Sequence, residues 1–439
     1  LELALKIGFM VDRKTARLFL SVACLLLYGT ACQHQEGALL VRELQSPAPN
    51  FTLVPQVTRL ADGKFAVSWQ QKRSDAGYKF AMAVGDGEHW SNVRTIAGGP
   101  NLSMFTADLP GIAAMQDDAL LAYWELKDTE SGDPYATKIQ TAISHDEGRT
   151  WETVKQPYSD ALAGQHSFLS WFPIQESGVG LVWLDAQQRA LVRKTSMMTG
   201  GHSAMDSEHG AIGLRWARLG PNGETVSDSF VVPITCECCP TSAALTKGGP
   251  VVLYRGRIDP PGTTPAEVDD NRPTIRDIDL TRLENGHWTA PHTVHADNWV
   301  INACPDNGPA VDAAGNQVAV AWWTASGNTP KVQVAFSTNA GDSFGPAIRI
   351  DAAHAEGQVT VAILHGEPMA AVVGWLEDGQ VRARYVSASG ALGPIATLGP
   401  SPRHSRLPRW YLSDGSILAG WTEKTTSGTQ IKLCRLIRQ

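Results

Sequence analysis

Seven times along this chain a short polar turn is followed by an apolar run that ends on an aromatic residue. Ala61-Asp62-Gly63 precedes Phe65–Trp69, Gln116-Asp117-Asp118 precedes Ala119–Trp124, and Glu176-Ser177-Gly178 precedes Val179–Trp183. Lys247-Gly248-Gly249 precedes Val251–Tyr254, and Ala314-Gly315-Asn316 precedes Val318–Trp322. His365-Gly366-Glu367 before Met369–Trp375 and Asp414-Gly415 before Ile417–Trp421 complete the series. The aromatics recur at about 46–71 residues. That spacing holds four short strands and their turns, and a run of such units buries its apolar faces only by stacking on its neighbours. The sequence therefore predicts an all-β, seven-bladed propeller with four-stranded antiparallel blades.

Two octets mark the turn before the last strand of a unit. Ser144-His145-Asp146-Glu147-Gly148-Arg149-Thr150-Trp151 sets an Asp carboxylate and two hydroxyls where they can bond the turn's own backbone, and Gly148 where φ > 0 costs little. Trp151 opens the next strand with a large apolar surface. Ser337-Thr338-Asn339-Ala340-Gly341-Asp342-Ser343-Phe344 keeps the pattern with Asn, Ser and Phe substituted. These octets resemble the Asp-box of the neuraminidase-type repeat. That resemblance implies a propeller with Ser144, Asp146, Gly148, Thr150, Trp151, Ser337, Asn339, Gly341, Ser343 and Phe344 as structural residues, and it implies no particular reaction. Sialidases of that superfamily have six blades, the alternative to the seven counted here. Degenerate turns at Gly85–Trp90 and Glu284–Trp288 occupy the same place in their units.

The last unit, Ser405–Ile437, offers three strands, so Ala38–Leu44 is expected to supply the fourth and close the ring. Strand alternation assigns faces. The start of each innermost strand and the second-to-third loops share one face, the upper; the octets lie on the other. Two long loops, about Asp185–Gly210 and Arg257–Pro273, fall on the upper face of neighbouring units, the expected wall or lid of a site over the central channel.

Arg13, Lys14 and Arg17 followed by the apolar run Leu18–Leu27 form an export signal, too short an apolar run to span a bilayer. Ala31-Cys32 resembles a bacterial lipobox, with Gly29 where Leu is usual, so residues 1–32 form a leader ending in a lipid anchor at Cys32 or in plain cleavage. The expected location is the periplasm or the outer membrane, with residues 33–439 as a single propeller domain. A net charge of −7 without a basic stripe excludes nucleic acid as a partner.

Two Cys-Pro pairs open neighbouring units, in Thr235-Cys236-Glu237-Cys238-Cys239-Pro240-Thr241 and Asn302-Ala303-Cys304-Pro305-Asp306-Asn307-Gly308. Their equivalence brings Cys239 and Cys304 together near the channel mouth. Cys236, Cys238, Cys239 and Cys304 then form disulfides, as an oxidising compartment favours, or a copper or zinc site. The loop containing Met197, Met198, His202, Met205 and His209 adds thioether and imidazole donors to the metal reading. Cys434 sits in a strand-like run as a buried apolar residue.

For ligand chemistry the candidates are Arg255, Arg257, Arg276 and Arg409, guanidiniums able to grip a carboxylated sugar, with Asp277 and Asp306 as candidate acids. Residues 210–375 resemble a group of exported, sialidase-like bacterial proteins that combine the Cys-x-Cys-Cys-Pro, Tyr-Arg-x-Arg and Cys-Pro-x-Asn-Gly-Pro motifs. That resemblance implies architecture and export. The Arg-Ile-Pro of sialidases is absent from the first unit, Arg406-Leu407-Pro408 only echoes it, and no Tyr–Glu nucleophile pair can be placed. The expected function is binding or exo-alpha-sialidase-like hydrolysis of an anionic glycan at the upper face. The alternatives are a non-enzymatic envelope protein holding copper or another soft metal, and a propeller that docks a protein.

Overall fold

The computed structural model describes residues 37–439 apart from 74–76, 104–108, 116–117, 133–134, 160–163, 175–177, 187–211, 261–272 and 367. The leader with Cys32, and Met197, Met198, His202, Met205 and His209, lie outside the described residues. Each apolar run forms the second strand of a blade: Phe65–Lys72, Leu120–Lys127, Val179–Asp185, Gly249–Arg255, Gln317–Thr324, Ala370–Glu377 and Ser416–Thr425. Such a strand is flanked by partners on both edges and covered by neighbouring blades on both faces. This is why it reads as a continuous apolar run rather than an alternating one. The anchors Trp69, Trp124, Trp183, Tyr254, Trp322, Trp375 and Trp421 are all buried.

The seven blades are antiparallel and pair in chain order; in the fourth, two short strands, His287–Trp288 and His292–His295, share the outermost place. The innermost strands neighbour one another in sequence order, and Tyr411–Ser413 of the last meets Thr52–Arg59 of the first, so the ring is closed. Closure is completed where it was expected. Leu39–Leu44 pairs antiparallel with Gly428–Arg438, from Leu39 opposite Arg438 to Leu44 opposite Leu433. Seven apolar clusters fill the seven wedges between adjacent blades. At roughly 1.5–3 kcal/mol per fully buried large apolar side chain, these wedges supply the main stabilising term.

The octets sit on the lower face as tight turns. Asp146 Oδ1 accepts the Thr150 backbone N–H at 2.8 Å, and Asp146 Oδ2 the Thr150 hydroxyl at 2.7 Å. Ser144 Oγ accepts the Gly148 N–H at 2.8 Å, and Gly148 takes φ 80°. The second octet repeats this with Ser337 Oγ accepting from Gly341 N–H at 3.0 Å and Asn339 Oδ1 from Ser343 N–H at 3.1 Å.

One repeated device was not expected. The innermost strands of blades one, three and six each break register near their start, and each break carries a left-handed residue: Val54 (φ 50°), Phe168 (φ 60°) and Gln358 (φ 55°). A bulge re-aims the residues after it, and here those residues line the channel.

Candidate functional site

Between the end of blade three and the innermost strand of blade four the chain crosses the upper face through the cysteine motif. The Cys236 N–H donates to the Arg255 carbonyl at 2.9 Å, and Thr241 Oγ1 donates to the Phe168 carbonyl at 2.8 Å, fixing both ends. Blade five approaches closely. A Cβ on Gly308 would stand 2.2 Å from the Pro240 carbonyl oxygen, so only glycine admits this contact. The approach brings Cys304 to Cys238, and these two form a disulfide with Cα atoms 6.0 Å apart. The partner of Cys304 is thus Cys238 and not Cys239, whose side chain turns into the protein ahead of Pro240.

Cys236 and Cys239 are buried free thiols with sulfurs 3.4 Å apart, and the Cys236 sulfur is 3.7 Å from that of Cys238. Burial opposes ionisation of Cys236, yet the Cys239 thiol, the Arg276 charge and the Cys238 backbone N–H bring it down to about 7. Burial and the neighbouring Cys236 hold Cys239 well above the ordinary thiol value. Cys238 and Cys304 are bonded to each other, while the sulfurs of Cys236, Cys238 and Cys239 lie within 4.8 Å of one another.

The arginines around this motif are structural ties. Glu237 lies between Arg257 and Arg276, with one carboxylate oxygen 3.3 Å from each. Arg276 also donates from Nε to Thr274 Oγ1 at 2.8 Å. Arg255 is 1% exposed; it donates to the carbonyls of Asn307, Arg276 and Trp323 at 2.8, 2.6 and 2.8 Å and lies over the Trp299 ring. Arg255 therefore ties blade four to blade five, while Arg276 ties Glu237 and Thr274 within the blade-four segments; both side chains are engaged in the fold. Asp277 is held in the same way. Its carboxylate accepts the N–H groups of Asn298 and Trp299 at 2.8 and 3.0 Å and fixes the link to blade five.

The channel gathers a different set. A cavity of about 120 Å³ is lined by Gln56, Tyr123, Ser170, Thr241, Gln358, Arg406, Arg409 and Tyr411, among residues of all seven blades. Most of the lining comes from the beginnings of the innermost strands, so the cavity belongs to the upper half of the channel. Arg409 reaches across the axis. From blade seven it donates to Asp312 of blade five at 2.8 Å and to the Ala243 carbonyl of blade four at 3.3 Å, and it lies 5.4 Å from the Tyr411 ring. Asp312 Oδ2 is anchored by the Ile363 N–H at 2.9 Å. Tyr123, on a second strand, reaches the cavity because Gly111 stands opposite it and leaves its hydroxyl room.

At the rim stands Asp306, with φ 48° and its carboxylate 3.8 Å from His404. Burial raises its carboxyl above the ordinary range, against the pull of Arg406 and His404. Backbone strain at a non-glycine residue is one mark of a site where geometry has been held for use. Of the residues expected from the sequence, Arg409 lines the cavity, Asp306 adjoins it through the Gln358 side chain at 2.7 Å, and Arg255, Arg257, Arg276 and Asp277 are not part of the lining. Tyr123, Tyr411, Gln358 and Asp312 are additions. The only sequence sign of them was their position at or beside an innermost strand.

No family model matches the sequence, and no curated protein matches it. Among solved structures, a PL25 polysaccharide lyase, an ulvan lyase, is similar with a TM-score of 0.53 and 10% identity over 88% of this chain and 95% of that one. The PL25 ulvan lyase bound to GlcA(1-4)Rha3S gives 0.51 and 10% over 91% and 93%. Trypanosoma rangeli sialidase gives 0.41 and 10% over 79% and 56%. At these identities the likeness is one of fold.

Proposed function

We propose that this protein binds the acidic terminal unit of a glycan in the upper mouth of its central channel, and that Asp306 serves there as a general acid in glycoside hydrolysis. The observation that carries the reading is that Arg406 and Arg409 line one cavity to which every blade contributes, with Asp306 beside it, under the charge of Arg406 and with its carbonyl accepting from the lining residue Gln358 at 2.7 Å. Its 120 Å³ is the room of one small ring, since an apolar cavity of about 150 Å³ takes up a benzene. With Arg409 braced across the axis, a chain end fits this mouth better than a threaded polymer.

Arg406 supplies the charge that meets a carboxylate, a pairing that Arg makes in bidentate fashion. Arg409 already shares its charge with Asp312 and so sets the floor of the site. Gln56, Ser170 and Gln358 offer neutral hydrogen bonds to hydroxyls. Asp306, whose carboxyl burial raises above its ordinary value, is placed in this reading to give a proton to a leaving oxygen. The saccharide GlcA(1-4)Rha3S held by the PL25 propeller supports a glycan as the ligand class. Export, with or without a lipid anchor at Cys32, belongs to the same reading, and the interblade disulfide supports it.

Turnover of fluorogenic α-sialosides and β-glucuronides tests the chemistry. The proposal expects hydrolysis of an acidic glycoside, a fall in kcat of about 100-fold or more in Asp306→Asn, and a KM-weighted loss in Arg406→Ala. No turnover of either class by wild type, or turnover indifferent to Asp306→Asn, removes the hydrolase reading and leaves binding alone.

A further inference from the structure

The cysteine cluster has two layers. Cys304 is exposed and Cys238 half-buried, so the disulfide joining them stands at the surface of the upper face. Directly behind it lie Cys236 and Cys239, each about 1% exposed. Cys236 is 3.4 Å from Cys239 and 3.7 Å from Cys238, so one sulfur is within reach both of a second thiol and of a disulfide. Structural disulfides and inert buried cysteines need no such arrangement. Two thiols 3.4 Å apart are also close to the spacing from which a bond forms with little movement of the chain.

We propose that the four cysteines form a thiol–disulfide exchange site in which the inner Cys236/Cys239 pair reduces the outer Cys238–Cys304 bond and presents an exposed dithiol to an external disulfide. The Cys236 thiolate attacks the Cys238 sulfur; a Cys236–Cys238 bond forms, the Cys238–Cys304 bond breaks, and Cys304 leaves as a thiolate that takes a proton from water. Cys239 then gives up its proton and attacks Cys236, forming Cys236–Cys239 and releasing the Cys238 thiolate, which is protonated in turn. Two electrons and two protons pass from the inner pair to the outer, so no outside oxidant or reductant enters the step. The exposed Cys304 is next placed to attack a small-molecule or protein disulfide, and reduction of that molecule restores the outer bond.

The surroundings fit this sequence. Arg276 holds positive charge beside Cys236, and a thiolate stabilised near neutral pH is the effective attacking form. Glu237, between Arg257 and Arg276, pins the backbone between the two inner cysteines. Pro240 and Gly308 fix the neighbouring turns that hold the two layers together.

The test uses the mature chain poised anaerobically with enough dithiothreitol to leave one disulfide per molecule, quenched in acid, alkylated with N-ethylmaleimide and mapped by peptide mass spectrometry. The expected result is a population divided between Cys238–Cys304 and Cys236–Cys239. Oxidised glutathione should then give a mixed disulfide on Cys304 or Cys238. Cys239→Ser should accumulate Cys236–Cys238 with Cys304 free. Cys236→Ser, shown folded by its thermal melt, should keep Cys238–Cys304 as the sole bond. Two results overturn the proposal: Cys238–Cys304 as the only disulfide in wild type and Cys239→Ser alike, or four reduced thiols holding stoichiometric copper or zinc.

Discussion

Asp279 and Asp306 are both carboxyls raised by burial, and the two differ in what burial does for the protein. Asp279 lies inside blade four, 5% exposed, accepts the Thr293 hydroxyl at 2.8 Å, and is pushed up to about 6. Its neutral form is the one the fold prefers. The stability it contributes is present below the ordinary carboxylate value of 3.8 and is lost as pH rises through about 6. Asp279→Asn keeps the acceptor and removes the charge. It should therefore raise stability by about 1–3 kcal/mol at pH 8 and leave it unchanged at pH 4, read by denaturant melts at both values. Asp306 stands at the rim, where its ionisation would place a negative charge beside Arg406. Binding of an acidic sugar should weaken as pH rises above its raised carboxyl value, and Asp306→Asn should flatten that dependence while keeping affinity. A pH series of titrations on both proteins reads this directly.

Blades follow from sequence more readily than the residues that face the channel. The seven aromatic anchors, the octet turns and the closing strand were all legible, because buried second strands, φ > 0 turns and an unpaired edge each impose a local requirement on residue type. The bulges at Val54 and Phe168 were not, since no glycine marks them, and at Gln358 the one sign was the adjacent Gly357, which takes φ 91°. Nor was the choice of Cys238 over Cys239 for Cys304, which turns on the direction of one side chain next to Pro240. Glu237, hidden between cysteines, is the partner of Arg257 and Arg276 that no spacing rule would select.

Two predictions belong to the elements. Removing Leu39–Leu44 leaves the edge of Gly428–Arg438 unpaired and uncovers Cys434, which lies opposite Glu43 and whose thiol burial pushes up to about 12. The truncated protein should melt earlier, self-associate through the bare edge, and show a Cys434 that reacts with a thiol reagent to which the intact protein is inert. Gly308→Ala drives a Cβ against the Pro240 carbonyl. It should cost about 2 kcal/mol or more and lower the yield of the Cys238–Cys304 bond in peptide maps.

At the scale of the molecule, the ring turns seven separate strand starts into one chemical surface. Arg409 alone joins blades seven, five and four across the axis; Arg255 and the disulfide join four to five. These ties are all on the side of the channel where the cavity opens, while the octets close turns on the opposite face. The division explains why the most recognisable motif in the sequence says nothing about the ligand. It also explains why part of the site could be read from the chain: Arg409 and Asp306 fall at strand starts that repeat grammar can locate, whereas Tyr123 reaches the cavity only through the gap left by Gly111.

The measurement that bears most directly on this account is calorimetric titration of the protein with matched acidic and neutral monosaccharides, glucuronic acid against glucose and N-acetylneuraminic acid against N-acetylmannosamine, in wild type and Arg406→Ala. The account predicts that wild type binds at least one acidic sugar about tenfold or more tighter than its neutral match, and that Arg406→Ala erases the difference. Equal affinity for both members of each pair, or an acidic preference that survives Arg406→Ala, would contradict it.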